Sequence, residues 1–138
     1  MSEINTEFLS RCIETLEKSY ELLCEREKGS IDYEIFRNSL VKGFEMTLEQ
    51  SWKLLKKKIT PYFATKKAVD LLTFKDLFRH AQKHGILSEE EVLRWFAYRD
   101  NRNDTAHDYG QQFAEQTLSL IENFIRDARS IRDLIDND

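Results

Sequence analysis

At 138 residues, with 41% hydrophobic and 33% charged residues, the chain has the length of one domain, the apolar content for a core and a charged surface. Its net charge of −4 excludes a global attraction to nucleic acid or anionic membrane, so any contact with RNA must come from a local patch. No apolar run approaches the roughly 20 residues that a membrane helix needs, which excludes a membrane protein of that kind. The segment Met1 to Glu7 is polar and acidic, unlike a signal peptide, and the expected compartment is the cytoplasm.

One proline and four glycines leave few breaks, which favours long helices. The first spans Glu3 to Lys28, with Leu9, Ile13, Leu16, Tyr20 and Leu23 as its apolar seam. Cys12 and Cys24 lie in this helix, about 18 Å apart at a rise of about 1.5 Å per residue, too far for a disulfide. Both are expected to be reduced, and with no CxxC and no third thiol a metal role is not expected. Gly29 suits the position just past the helix end. Asp32 then caps a second helix, Tyr33 to Ile59, with Phe36, Leu40, Phe44, Leu48, Trp52, Leu55 and Ile59 along one face. The short loop makes the pair an antiparallel hairpin.

The second helix ends in Lys56-Lys57-Lys58 and is stopped by Thr60-Pro61. With Lys53, Lys66 and Lys67 these form a basic cluster. It reads first as cations complementing a helix C-terminus and second as a patch that tracks phosphates. A connection follows, with room for a short helix around Thr65 to Leu71. Thr73 and Asp76 form a capping box for the third long helix, whose apolar face holds Phe74, Leu77, Phe78 and Ala81 and which Gly85 closes. His80 and His84 are four apart, but no acid or thiol at a suitable offset completes a zinc site, so no metal is assigned. Ser88 and Glu91 form a second capping box. It opens a fourth helix, with Trp95 and Phe96 expected in the core and Val92 and Arg99 sharing their broad face.

That helix delivers the chain to Tyr98-Arg99-Asp100-Asn101-Arg102-Asn103-Asp104-Thr105-Ala106-His107-Asp108-Tyr109-Gly110. Charge, amide and imidazole gathered at an inter-helix corner point to chemistry rather than burial. A five-residue step in an unbroken helix turns the side chain about 140° around the axis, so Arg102 and His107 converge only if the helix ends or bends between them. Thr105 and Asp108 have the spacing of a capping box there. The plainer reading is two solvated charges and a surface histidine. After Gly110 comes the fifth helix, with Phe113, Thr117, Ile121, Phe124, Ala128, Ile131 and Ile135 stepping by four and three. Arg126, Arg129 and Arg132 interleave with Asp127, Asp133 and Asp136, the pattern of a salt-bridged surface. The sum is an all-α, antiparallel four-helix-type bundle with five helices, one domain over residues 1–138.

Arg102-Asn103, three residues, His107, one residue, Tyr109 resembles the R-N-x-x-x-H-x-Y motif of the HEPN superfamily, closest to its HepT-like branch, also called nucleotidyltransferase substrate-binding proteins. The resemblance extends to length and helical order. It implies a homodimer whose paired Arg and His line a cleft between protomers, acting as a metal-independent endoribonuclease without a cofactor. Arg102 would bind the phosphate, His107 would be general base or acid, and Asn103 would orient one or the other. It further implies a toxin–antitoxin pair, in which a minimal nucleotidyltransferase encoded beside the chain modifies Tyr109 with AMP. The older reading of the branch is a non-catalytic substrate-binding subunit of a two-component nucleotidyltransferase. A helical dimer or adaptor with no active corner is the structural alternative.

Overall fold

The structure, a computed structural model, describes the backbone of residues 4–105 and 111–137 and the side chains of residues 4–102 and 115–137. Among the described residues it is all-helical: α1 (Glu7–Cys24), α2 (Ile31–Ile59), a 3-10 turn (Thr60–Tyr62), α3 (Lys66–Asp70), α4 (Phe74–Lys83), α5 (Glu89–Thr105) and α6 (Gln111–Asp136). The sixth helix is short α3, in the connection between the second and third long helices, where Thr65 caps the amide of Ala68.

The apolar seams become one core. In α6 every described seam residue, Thr117, Ile121, Phe124, Ala128, Ile131 and Ile135, is buried. Leu40, Phe44, Leu48, Leu55 and Ile59 of α2 are buried too, whereas Phe36 and Trp52, at the edges of that seam, are half-buried. At the centre Trp95 and Tyr98 of α5 pack edge-on against Phe124, with ring centroids at 5.7 and 5.0 Å, and Phe124 lies 4.6 Å from Phe44. Each fully buried large apolar side chain stabilises the fold by about 1.5–3 kcal/mol. Contacts between α1 and α2 pair Ser19 with Ser39, and Leu16 with Gly43, so the two run antiparallel. Gly43 permits this approach: a Cβ there would meet Leu16 Cδ1 at 3.3 Å. Contacts of Glu17 with Arg129 and Tyr20 with Glu122 set α6 antiparallel to α1. The four long helices α1, α2, α5 and α6 form the bundle, and α4 packs on α5 and α2.

The ends of the elements explain where sequence expectation and structure part. The first helix stops at Cys24, with Glu25 and Arg26 donating back to Leu22 and Leu23. Gly29 therefore sits not at its C-terminus but in the turn from Glu27 to Ser30, at a φ of +89° that favours glycine. Ser30, not Asp32, caps α2, its hydroxyl accepting from the Tyr33 amide. Asp32 falls in the first turn, where its charge suits the helix dipole. Both expected capping boxes are present: Thr73 with Asp76 and Ser88 with Glu91. Cys12 is buried and Cys24 exposed, both as free thiols.

Candidate functional site

Arg102 lies in the last turns of α5, its side chain partly exposed. With Arg99, one turn earlier, it borders a hollow of about 220 Å³ whose other walls are Glu45, Leu48, Glu49 and Trp52 of α2. Its Nε lies 4.0 Å from Glu45 Oε2, while Glu49 is engaged by Lys53 at 3.0 Å. Arg99 spreads over the ring of Phe74, its Cζ 5.6 Å from the centroid. Two guanidiniums at the rim of a shallow hollow suit a phosphate, which a guanidinium binds through two parallel N–H···O bonds. Glu45 and Glu49 set the opposing charge on the far wall. Nothing in the sequence pattern singled out Glu45: it sits beside Phe44 on α2, off the apolar seam.

Asn103 continues α5, and only its backbone is described. His107, Tyr109 and Asp108 of the expected Thr105–Asp108 capping box lie outside the described residues, as do the side chains of Thr105 and Phe113. The described residues do decide one geometric condition. Asn101 Nδ2 donates to Thr117 Oγ1 at 3.0 Å, and Tyr98 reaches Asp127 on α6. These pairs set α5, which ends at Thr105, antiparallel to α6, which begins at Gln111. The Asn101–Thr117 bond is buried, which makes it strong relative to an exposed one because neither group has water as an alternative.

Asp127, expected among the surface charges of α6, is only 2% exposed. Its carboxylate accepts from Arg94 Nε and Nη2 at 2.8 and 2.9 Å and from the Tyr98 hydroxyl at 2.5 Å. The hydrogen bonds to Asp127 push the Arg94 guanidinium further up. Burial, then the bond to Asp127, pushes the Tyr98 phenol well above its ordinary value. The rest of the interleaved pattern is surface as expected: Arg132 pairs with Asp133, and Arg129 with Glu17.

Burial first, then the neighbouring Cys24 and Glu122, pushes Tyr20 up to about 12 from an ordinary 10.0. For Tyr20 and Tyr98 alike the unfolded chain gives up the phenolic proton first as pH rises. Their contribution to stability is therefore complete below pH ~10 and is lost progressively above it. Urea denaturation is expected to show a steady midpoint up to pH ~9.5 and a falling one from pH ~10 to ~12. Tyr98→Phe should flatten that fall; a midpoint that holds constant to pH ~12 would contradict the assignment.

The remaining sequence candidates resolve simply. His84 stacks on Tyr62 with centroids 4.1 Å apart, and His80 meets Phe63 edge-on at 4.9 Å. Among the described residues no three His, Cys, Asp or Glu side chains are grouped to hold a metal ion. Lys56 is tied to Asp70 of α3 at 2.7 Å. No helix among the described residues is long and apolar enough to cross a membrane.

The family model described as nucleotidyltransferase substrate binding protein like matches residues 5–136. The chain belongs to this family. A relative from Haemophilus influenzae named probable ribonuclease HepT is 27% identical over 127 residues, covering 89% of this chain and 86% of that protein. Among solved structures, HI0074 of Haemophilus influenzae superposes with a TM-score of 0.83 at 24% identity, covering 96% of this chain and 99% of that one. That structure is described as revealing the fold of a substrate binding domain of a nucleotidyltransferase. A protein from Thermus thermophilus superposes with a TM-score of 0.72 at 23% identity, over 92% of this chain and 98% of its own. At these identities the two structures establish the shared helical fold, and membership of the family implies a nucleotidyltransferase partner.

Proposed function

We propose that this chain is the HepT-like toxin of a toxin–antitoxin pair, a metal-independent endoribonuclease silenced when its cognate minimal nucleotidyltransferase places AMP on Tyr109. The observation that carries the reading is the antiparallel setting of α5 and α6, with Arg102 in the last turns of α5 and its guanidinium at the rim of an open hollow beside Arg99. The relative named as a probable ribonuclease supports it.

RNA carries its own nucleophile, the 2′-hydroxyl. The neutral imidazole of His107 takes its proton, and the 2′-oxygen forms a bond to phosphorus. Arg102 stabilises the charge that builds on the phosphorane oxygens. The bond from phosphorus to the 5′-oxygen breaks, and an imidazolium protonates that oxygen. The products are a 2′,3′-cyclic phosphate and a 5′-hydroxyl end. One motif histidine per chain cannot be base and acid in the same step, so a two-fold homodimer pairs two corners in one cleft. Asn103 orients His107 or the phosphate. AMP on Tyr109 adds bulk and negative charge two residues from His107 and repels the RNA backbone.

The test is cleavage of a labelled RNA before and after incubation of the chain with the nucleotidyltransferase and ATP, with mass spectrometry of the Tyr109 peptide. Cleavage should fall in step with AMP at Tyr109, and Tyr109→Phe should resist silencing. A chain that never cleaves RNA would favour the second reading, a substrate-binding subunit of a two-component nucleotidyltransferase, which the description of the family model favours.

A further inference from the structure

We infer that the exposed face of α4 is a binding track for single-stranded RNA, leading from the end of α5 to a stacking platform made by Tyr62 and His84. The inference deepens the ribonuclease reading and rests on RNA being the substrate. Between Lys53 and Ile86 the sequence carries nine Lys or Arg against two Asp, in a chain with 21 basic and 25 acidic residues in all. The remainder therefore holds twelve basic and twenty-three acidic residues. Basic residues thus outnumber acidic ones in this stretch, although Asp100 reaches Lys75, Glu49 reaches Lys53 and Asp70 pairs with Lys56, and this excess supplies the local patch that an acidic protein needs for RNA.

The track has an order. Lys75, Arg79 and Lys83 follow one another at four-residue steps along α4, about 6 Å apart. Lys75 and Arg79 lie over the ring of Phe96, at 5.3 and 5.0 Å from its centroid, which anchors both cations while their heads stay at the surface. Lys75 also pairs with Asp100 at 3.5 Å, two residues before Arg102, so the track starts beside the corner. Arg79, His80 and Lys83 line a hollow of about 140 Å³ together with Asp76, which is occupied in capping α4. At the far end Tyr62, 54% exposed, lies flat on His84 with 15° between the rings. A large aromatic left that open, pre-stacked at the end of a row of cations, is the arrangement that receives an unpaired base. Cations that follow a backbone and a ring that stacks without reading base edges bind single strands with little sequence preference.

Fluorescence anisotropy with fluorescein-labelled 12-nucleotide oligo(U) and oligo(A) tests this, in the full chain carrying His107→Ala so that the probe stays intact. The triple variant Lys75→Gln, Arg79→Gln, Lys83→Gln should weaken both probes and reduce the slope of log affinity against log salt by about 2, as expected for about three lost phosphate contacts. Tyr62→Ala should weaken binding about tenfold with the slope unchanged, and Tyr62→Phe should restore it. Circular dichroism melting verifies that each variant is folded; should the triple variant not fold, the Tyr62 pair decides. Unaltered affinity and slope in the folded variants would overturn the inference. Loss of the nucleotidyltransferase partner with RNA affinity intact would overturn it too and make α4 a protein-binding face. Binding that follows the track in a chain whose wild type never cleaves would leave the track standing and remove the nuclease reading; normal cleavage with binding indifferent to the track would do the reverse.

Discussion

Replacing His107 with alanine is expected to lower the rate of RNA cleavage by about 10²–10⁴, the range that a positioned general acid or base contributes. The melting temperature should stay at the wild-type value, because the core of Phe44, Phe78, Trp95, Tyr98 and Phe124 is built from other residues. Arg102→Lys keeps the positive charge but loses the planar fork that meets two phosphate oxygens at once, and a partial loss is expected. If the cleft takes a histidine from each protomer, an excess of the His107→Ala chain mixed into wild type should depress activity below simple dilution, since mixed dimers lack one of the two imidazoles. Undiminished cleavage by His107→Ala, or activity that only dilutes, would remove the proposed chemistry or its two-fold form respectively.

Asp127→Ala is expected to cost about 2–4 kcal/mol of stability. The carboxylate serves three donors, two from Arg94 and one from Tyr98. Removing it leaves the Tyr98 hydroxyl buried without its acceptor. Arg94 lies partly at the surface and recovers some hydration, which holds the cost below that of a fully buried pair. For a domain of this size the melting temperature should fall by about 10 °C, measured by calorimetry. Asp133→Ala is the control: its carboxylate is exposed and pairs only with the adjacent, half-buried Arg132, so little or no change is expected. Equal behaviour of the two variants would show that the Asp127 network contributes nothing beyond a surface ion pair. The network also lies one turn before Arg102, so a loosened Tyr98 should lower cleavage without abolishing it.

The bundle was legible in the sequence because its helices follow one repeat. A residue that recurs every three or four positions in α6, from Thr117 to Ile135, has no other structure in which to bury that face. The capping boxes at Thr73 and Ser88 were legible for a similar reason, since both partners lie within four residues. Asp127 was not. Its neighbours Arg126 and Arg129 make it look like part of an exposed ladder, and the residues that bury it, Arg94 and Tyr98, come from another helix, 33 and 29 residues earlier. Asn101 and Thr117 were missed in the same way: each is an ordinary polar residue until the antiparallel setting of α5 and α6 puts them together. The motif Arg102, Asn103, His107 and Tyr109 stood out by residue type and by resemblance to a family that the comparisons support. The wall opposite Arg102, with Glu45 and Glu49, depends on the packing of α2 on α5, which no local pattern encodes. The basic run at the end of α2 drew notice as a cap, whereas the stepped cations of α4 gain meaning only from Phe96, Asp100 and Tyr62 around them.

The cleavage proposed for the corner after α5 runs through the RNA's own 2′-hydroxyl. End-group analysis of a labelled oligonucleotide, with and without a single 2′-deoxy substitution at the cut position, tests it most directly. The expected result is a 2′,3′-cyclic phosphate and a 5′-hydroxyl from the unmodified strand and no cut at the substituted position. Equal cleavage of the substituted strand, or products bearing a 5′-phosphate, would contradict it.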